Sequence, residues 1–111
     1  MLVVLLFRVS DEEAAEFPTQ AAAALAPLAA RPGYRSSQLG RSVDDPSTWA
    51  LLLDWSGVGD YRRALSQYDV KVATAPLLSR ALQLPTAFEV LRTEGPDGIT
   101  TATSDRSAEA G

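Results

Sequence analysis

Two residue types that support much of enzyme chemistry, cysteine and histidine, are absent from the 111-residue sequence. Without cysteine, the chain has no disulfide, no thiolate nucleophile and no Cys-type metal site. Without histidine, it has no Ser-His-Asp or Cys-His pair, no His-ligated zinc and no histidine-ligated haem. The lack of cysteine is also compatible with a reducing compartment. We therefore predict a protein without a metal site.

Clustered positive charge and long hydrophobic runs are absent as well. The sequence has 10 Lys and Arg against 14 Asp and Glu, its net charge is −4, and the arginines are scattered. Nucleic-acid binding requires clustered positive charge, so we expect no nucleic-acid partner. The apolar run at 2–7 is too short to cross a bilayer, and it lacks a preceding basic residue and a following cleavage site. We expect no membrane partner and a cytoplasmic location.

The length and composition of the chain predict a single domain, because 46% of the residues are hydrophobic. The predicted elements are, in chain order, a strand at 2–9, a helix at 10–30, a strand at 34–42, a strand at 49–55, a helical segment at 60–82 and a strand at 85–92. This βαββαβ order is typical of an α+β, ferredoxin-like antiparallel sheet with both helices on one face. The domain is expected to span 1–92, followed by a disordered tail at 93–111 that is rich in Gly, Pro, Ser, Thr and Asp.

Both helical segments carry local signals for their ends and interruptions. Ser10 and Glu13 form a capping box that predicts the start of the first helix, which two internal prolines are expected to kink. In the second segment, the stretch at 66–69 predicts a break and a new start at an Asp69 cap. The side chains expected to face inward from that segment are Tyr61, Leu65, Tyr68, Val72 and Leu78 or Leu82.

Two of the predicted strands, at 2–9 and 49–55, are apolar on both faces. In the first, Val3, Leu5 and Phe7 alternate with side chains that are equally apolar, and the second shows the same pattern. Helices can cover only one face of such a sheet, so the other face needs a different cover. We expect a second copy of the chain to provide it, which predicts a homodimer.

Two glycines, Gly57 and Gly59, join the third strand to the second helical segment. A dinucleotide fingerprint requires a third glycine, where this chain has Arg62, and it follows the first strand of a parallel βαβ unit. The sequence also contains no Walker-type Gly-Lys-Ser or Gly-Lys-Thr. We interpret the glycines as a tight strand-to-helix turn.

The pattern "PGY…DDPSTWALLLDWSGVGDYRRAL…P" resembles the antibiotic biosynthesis monooxygenase family. The resemblance covers residues 2–91 and depends on the Pro-Gly-aromatic turn at 32–34, the "DDP" hairpin at 44–46 and the strand that ends at Trp55. It implies a ferredoxin-like fold that pairs into a dimeric α+β barrel. The fold hosts unrelated activities, so it does not define the reaction.

One branch of that family oxidises phenolic aromatic polyketides to quinones with dioxygen, without metal or flavin. Its tryptophan and tyrosine match Trp55 and Tyr61, which the resemblance implies as catalytic residues without a cofactor. Its asparagine matches Leu51, which cannot hydrogen-bond a substrate oxygen. In the haem-degrading branch the functional asparagine, tryptophan and histidine match Phe7, Ala64 and Thr74. All of these differ, so we expect no haem partner.

We predict a substrate cavity between the sheet and the second helical segment, lined by Trp55, Tyr61 and Tyr68. Tyr68 follows Tyr61 by two helical turns and returns to the same face unless the break at 66–69 rotates it. Phe7 and Leu51 are expected to supply an apolar wall for a small aromatic molecule.

A further candidate, Arg41, is expected to pair with an anionic group of the substrate, although it also fits an exposed strand arginine. Trp55 equally fits a core tryptophan, and the tyrosines fit buried aromatic residues with hydrogen-bonded hydroxyls. Two functions therefore stay open. One is a cofactor-independent monooxygenase, favoured by Trp55 and Tyr61; the other is a non-catalytic dimeric binding module, favoured by Leu51.

Overall fold

The computed structural model describes residues 1–105, in which strands and helices follow the predicted order. The elements are β1 (Leu2–Arg8), α1 (Phe17–Ala29), β2 (Tyr34–Arg41), β3 (Thr48–Trp55), α2 (Val58–Ser66), α3 (Tyr68–Leu78), β4 (Ala87–Phe88), β5 (Arg92–Gly95) and β6 (Gly98–Thr101). Within this described part, no helix is both long and apolar enough to span a membrane.

The main sheet has four antiparallel strands in the order β2-β3-β1-β4. In the register of its centre, Leu51 of β3 lies between Leu5 of β1 and Leu39 of β2. The inward side chains of β1 and β3 are buried, in alternation with less buried neighbours, as a period of two requires. This topology confirms the predicted α+β, ferredoxin-like fold.

The two faces of the sheet differ in burial. Val3, Leu5 and Phe7 belong to the core, whereas Leu6 and Leu52, on the other face, are only half-buried in the single chain. The helices therefore cover one face, as expected. The second face keeps apolar side chains in contact with solvent.

The first helix begins later than predicted. The capping box forms, because the Ser10 hydroxyl donates to the Glu13 carboxylate at 2.9 Å and the Glu13 N–H donates to Ser10 Oγ at 3.3 Å. However, this segment contains only turns, and α1 starts at Phe17. Pro18 lies in the first turn of α1, where proline is tolerated, whereas in a helix that began at Ser10 it would be internal and could not donate to the carbonyl four residues earlier. The predicted start at Ser10 is wrong for this reason.

The second helical segment breaks as predicted, but at a different residue. Gln67 has φ −72° and ψ 136°, an extended conformation that ends α2 and serves as the N-cap of α3. The predicted cap at Asp69 is wrong, since Asp69 lies in the first turn of α3. The axis of α3 and its buried face are therefore set independently of α2.

The C-terminal part differs from the prediction in two ways. The strand expected at 85–92 pairs with β1 only over Ala87–Phe88. Part of the expected disordered tail forms a hairpin, in which β5 pairs with β6 around a turn that ends at Gly98, with φ 119°. Gly-Pro-Asp-Gly at 95–98 is turn chemistry, which explains the hairpin. The last residues of the predicted tail, 106–111, lie outside the described residues.

Candidate functional site

Trp55 ends β3 and is fully buried. Its ring packs against Tyr61 at a centroid distance of 5.4 Å and edge-on against Tyr34 at 5.6 Å. Such aromatic pairs contribute about 0.5–1.5 kcal/mol each beyond burial of area. Within the described part of the chain, its Nε1 has no hydrogen-bond partner. The packing of Trp55 against one side of the Tyr61 ring thus fixes the position of that ring.

The turn that follows Trp55 positions Tyr61. Gly57 is the N-cap of α2 in an extended conformation, in agreement with the predicted strand-to-helix turn. The Ser56 hydroxyl donates to the Asp60 carboxylate, and Arg63 pairs with the same group at 2.6 Å. The hydrogen bond from Ser56 is the larger cause, and that from Arg63 the next, of a lowered pKa of Asp60. The Asp60 carboxylate therefore stays ionised near neutral pH. The first turn of α2 is thereby held against the end of β3.

Tyr61 faces an open cleft of about 590 Å³ that lies between β1, α2, the end of α3 and the segment after α3. The lining residues are Leu5, Tyr61, Leu65, Leu78, Ala81, Leu82, Gln83, Leu84, Pro85 and Thr86. Tyr61 itself is only 8% exposed, and burial raises the pKa of its hydroxyl above the ordinary value of 10.0. The hydroxyl is therefore neutral at physiological pH and can donate a hydrogen bond to a ligand oxygen.

The structure does not bring Tyr68 to this cleft. Its side chain is 82% exposed, and the buried face of α3 consists of Val70, Thr74 and Leu77 instead. The extended conformation of Gln67 interrupts the helical repeat, so a spacing of two turns no longer returns to the same face. The predicted contribution of Tyr68 is wrong for that reason.

Phe7 and Leu51 do not form the predicted wall either. They are 0% and 1% exposed and belong to the core, where the Phe7 ring packs edge-on against Phe17 at 5.3 Å. Leu5, two residues before Phe7 on the same face of β1, lines the cleft instead. The cleft therefore lies on the face of β1 that carries Phe7, as predicted, but it is lined by Leu5 rather than by Phe7.

Arg41 lies on the β2–β3 hairpin, outside the residues that line the cleft. Its Nε donates to the Pro46 carbonyl at 2.6 Å, and its guanidinium stacks over the Trp49 ring at 5.1 Å. A longer ion pair of 3.8 Å joins it to Asp11. These contacts fit the alternative interpretation of Arg41 as an exposed strand arginine, and Arg41 does not line the cleft.

The segment at 81–86 lines the cleft, and of its residues only Leu82 was predicted to face inward, as an alternative to Leu78. It follows the edge of β1, where the Leu82 N–H donates to the Leu6 carbonyl at 2.8 Å and the Val4 N–H donates to the Thr86 carbonyl at 2.7 Å. No periodic pattern marks this contact. In contrast, the helical spacing of Leu65 from Tyr61 correctly identified Leu65 as an inward residue.

The described residues offer no cluster of three or more Asp, Glu, His or Cys side chains that could hold a metal ion. The positions that correspond to the haem-degrading branch, Phe7, Ala64 and Thr74, are all buried in the core. The Thr74 hydroxyl donates to the Val70 carbonyl at 2.7 Å within α3. The polar side chains that line the cleft, among the described residues, are those of Tyr61, Gln83 and Thr86.

A comparison with protein families agrees with the motifs and the fold. The model of the antibiotic biosynthesis monooxygenase family matches residues 1–74. The chain belongs to the antibiotic biosynthesis monooxygenase family. The match includes β1 to α2 and most of α3, and therefore Trp55 and Tyr61.

Solved structures with a similar fold include a cofactor-independent oxygenase. SnoaB, a cofactor-independent oxygenase from Streptomyces nogalater, is 27% identical with a TM-score of 0.63, over 81% of this chain and 94% of SnoaB. A variant of SnoaB is 26% identical with the same TM-score of 0.63, over 73% of this chain and 82% of that chain. A conserved protein from Methanosarcina mazei Go1 shares the fold at 21% identity and a TM-score of 0.60, over 78% of this chain and 84% of that one. Among curated proteins, no relative matches.

Proposed function

We propose that this protein is a cofactor-independent monooxygenase that oxidises a small phenolic or quinol-like aromatic substrate with dioxygen. The observation that carries the proposal is the buried, neutral Tyr61 at an apolar cleft, in a chain of this family. The similarity to SnoaB, a cofactor-independent oxygenase, supports the reaction type. We also propose that the protein acts as a homodimer in the cytoplasm.

The size and lining of the cleft suit such a substrate. Its volume of about 590 Å³ lies within the roughly 300–1,000 Å³ of small-molecule sites. Seven of its ten described lining residues are leucine, alanine or proline. Flat aromatic rings gain binding energy from burial against such side chains.

The reaction needs little chemistry from the protein. A substrate methylene between two activated rings loses a proton to water, and the resulting carbanion transfers one electron to dioxygen. The two radicals combine to a carbon-bound peroxide anion, which takes a proton back from water to become a hydroperoxide. The hydroperoxide loses water to leave a carbonyl, so that CH₂ + O₂ gives C=O + H₂O. The protein accelerates this sequence by orienting the substrate and by stabilising developing negative charge.

Tyr61 is the group that can do both. As a neutral phenol at the cleft, it can donate a hydrogen bond to the substrate oxygen on which charge develops. Trp55 packs against Tyr61 and is absent from the described lining residues of the cleft. It is therefore a positioning residue that acts through Tyr61.

A non-catalytic binding module of the same fold is the second candidate. Leu51 takes the place of the family asparagine and, at 1% exposure, lies in the core between its neighbours on β1 and β2. It offers no polar group to an oxygen intermediate. A protein of this kind would bind aromatic molecules in the cleft without oxidising them.

Substitution Tyr61→Phe separates the two candidates. With an anthrone as substrate, wild-type protein is expected to form the quinone, and Tyr61→Phe to lower kcat by on the order of ten- to a thousand-fold. Quinone absorbance measures the rate, and thermal unfolding shows that the variant is folded. Tyr68→Phe is the matched control, because Tyr68 is exposed and remote from the cleft, and it is expected to retain the wild-type rate.

Two results would contradict the proposal. An equal loss of rate in Tyr61→Phe and Tyr68→Phe would show that oxidation does not depend on the cleft that Tyr61 lines. Saturable binding of the anthrone without any quinone would support the binding module instead.

A further inference from the structure

The segment at 82–86, which runs along the edge of β1, forms the rim of the cleft and turns away from the strand between its two ends. Leu82 and Thr86 are tied to β1 by backbone hydrogen bonds of 2.8 and 2.7 Å. Between these two points, the Leu84 N–H turns back to the Leu82 carbonyl at 2.8 Å. Gln83 and Pro85 are exposed and line the cleft, so they lie at its mouth.

Among residues 1–105, which the structure describes, none that lines this cleft has a side chain that is ionised at neutral pH. Of its ten side chains, only Tyr61, Gln83 and Thr86 are polar, and the Tyr61 hydroxyl is neutral. The contrast with a neighbouring pocket is clear. That pocket, which other residues of α2 line, contains the charged side chains Arg31, Asp60 and Arg63.

A ligand in the cleft therefore meets an apolar surface and neutral hydrogen-bonding groups. A carboxylate that leaves water for such a surface loses its hydration without gaining a cation. The side-chain amide of Gln83 can instead both donate to and accept from a neutral hydroxyl, ketone or amide. The Tyr61 hydroxyl can serve a second oxygen deeper in the cleft.

We propose that the cleft selects an uncharged aromatic ligand, such as a neutral phenol, ketone or ester, over its carboxylated analogue, and that Gln83 at the mouth is the residue that sets this specificity. The inference rests on the proposed function for the identity of the site, and it narrows the substrate class. It concerns binding, and so it can be tested without oxidation.

The test compares two isosteric probes, naphthoate and its neutral amide, naphthamide, with the full chain. Equilibrium dialysis measures both dissociation constants at neutral pH. We expect naphthamide to bind at least about tenfold more tightly than naphthoate, which corresponds to about 1.4 kcal/mol. Equal affinities, tighter binding of naphthoate, or no saturable binding of naphthamide would overturn the inference.

A charge substitution at the mouth tests the role of Gln83. Gln83→Lys is expected to raise the affinity for naphthoate by about tenfold, because the new cation pairs with the carboxylate, and to lower that for naphthamide by about two- to tenfold, because lysine offers no hydrogen-bond acceptor. Gln83→Glu is expected to lower the naphthoate affinity more than the naphthamide affinity, because the new carboxylate repels the ligand carboxylate and offers no N–H donor. Gln20→Lys, an exposed glutamine on α1 outside the cleft, is the matched control and should change neither.

If Gln83→Lys behaves like Gln20→Lys, Gln83 does not set the specificity and the inference fails. Failure of the proposed function looks different. In that case naphthamide is still preferred, and Gln83→Lys still shifts the preference, but no quinone forms from an anthrone.

Discussion

At the residue scale, Tyr61 combines burial with access to the cleft. Trp55 packs on one side of its ring, and the cleft lies beyond it. Burial is the cause of its raised pKa. The environment that keeps the hydroxyl neutral for hydrogen bonding also makes its ionisation unfavourable in the folded chain.

This raised pKa predicts a pH-dependent stability. The unfolded chain ionises Tyr61 near its ordinary pKa of 10.0, whereas the folded chain keeps it protonated to higher pH. Its contribution to the free energy of unfolding is therefore full below that pH and is lost as the pH rises through the pKa of the folded state. The free energy of unfolding of the Tyr61→Phe variant is therefore expected to fall less steeply with rising pH than that of the wild type over this alkaline range.

Urea unfolding at a series of pH values measures this effect. Tyr68→Phe is again the control, because the Tyr68 side chain is mostly exposed in the folded chain. Its curve should parallel that of the wild type. Identical alkaline slopes for Tyr61→Phe and the wild type would contradict the burial of the Tyr61 hydroxyl.

At the element scale, the turn between α1 and β2 fixes the start of α2. Gly33 has φ 92°, and its carbonyl accepts a hydrogen bond of 2.8 Å from the Ser56 N–H. A Cβ at Gly33 would collide with the Asp60 side chain. Glycine is therefore required both by the backbone conformation and by the close approach of α2.

We expect Gly33→Ala to destabilise the protein by more than about 1 kcal/mol, because alanine disfavours a positive φ and because Asp60 must move. Chemical denaturation measures the change. The shift of Asp60 also displaces the first turn of α2, so the affinity for naphthamide is expected to fall.

Gly95→Ala is the control for this substitution. No atom lies within 4 Å of a Cβ added at Gly95, so its stability should stay within about 0.5 kcal/mol of the wild type. A Gly33→Ala protein as stable as Gly95→Ala would show that the turn is more tolerant than its geometry implies.

At the scale of the whole molecule, the second face of the sheet is an apolar surface that the helices leave uncovered. Leu2, Val4, Leu6 and Leu52 are half-buried there, next to exposed polar residues of β2. Phe88 of β4 adds a further exposed apolar side chain at the edge. A contiguous apolar face of this kind favours association with a second copy.

We therefore expect a homodimer at micromolar concentration and its loss on Leu52→Asp, because a carboxylate would be buried unpaired between the two sheets. Light scattering after size exclusion gives the mass. Val72→Asp, on the exposed side of α3, should remain dimeric, as should a chain truncated after Arg92. A stable wild-type monomer at that concentration would contradict this use of the second face.

The sequence alone determined the order of the helices and of the strands of the main sheet, and the family. Helical spacing identified Leu65 as an inward residue, whereas the central strands are apolar on both faces, so their alternation did not distinguish the buried face. The Pro-Gly-aromatic turn at 32–34 and the strand that ends at Trp55 indicated the family that the residue match confirmed. These signals are local, because backbone periodicity and turn chemistry depend on neighbouring residues.

Only the tertiary structure decided which side chains share the cleft. The extended ψ of Gln67 turns Tyr68 to solvent, and no local pattern encodes the angle between the two helices that it joins. The rim at 81–86 lines the cleft because it hydrogen-bonds to β1, more than 70 residues earlier in the chain. Such contacts depend on the packing of distant segments, and for that reason Gln83 entered the site only with the folded chain.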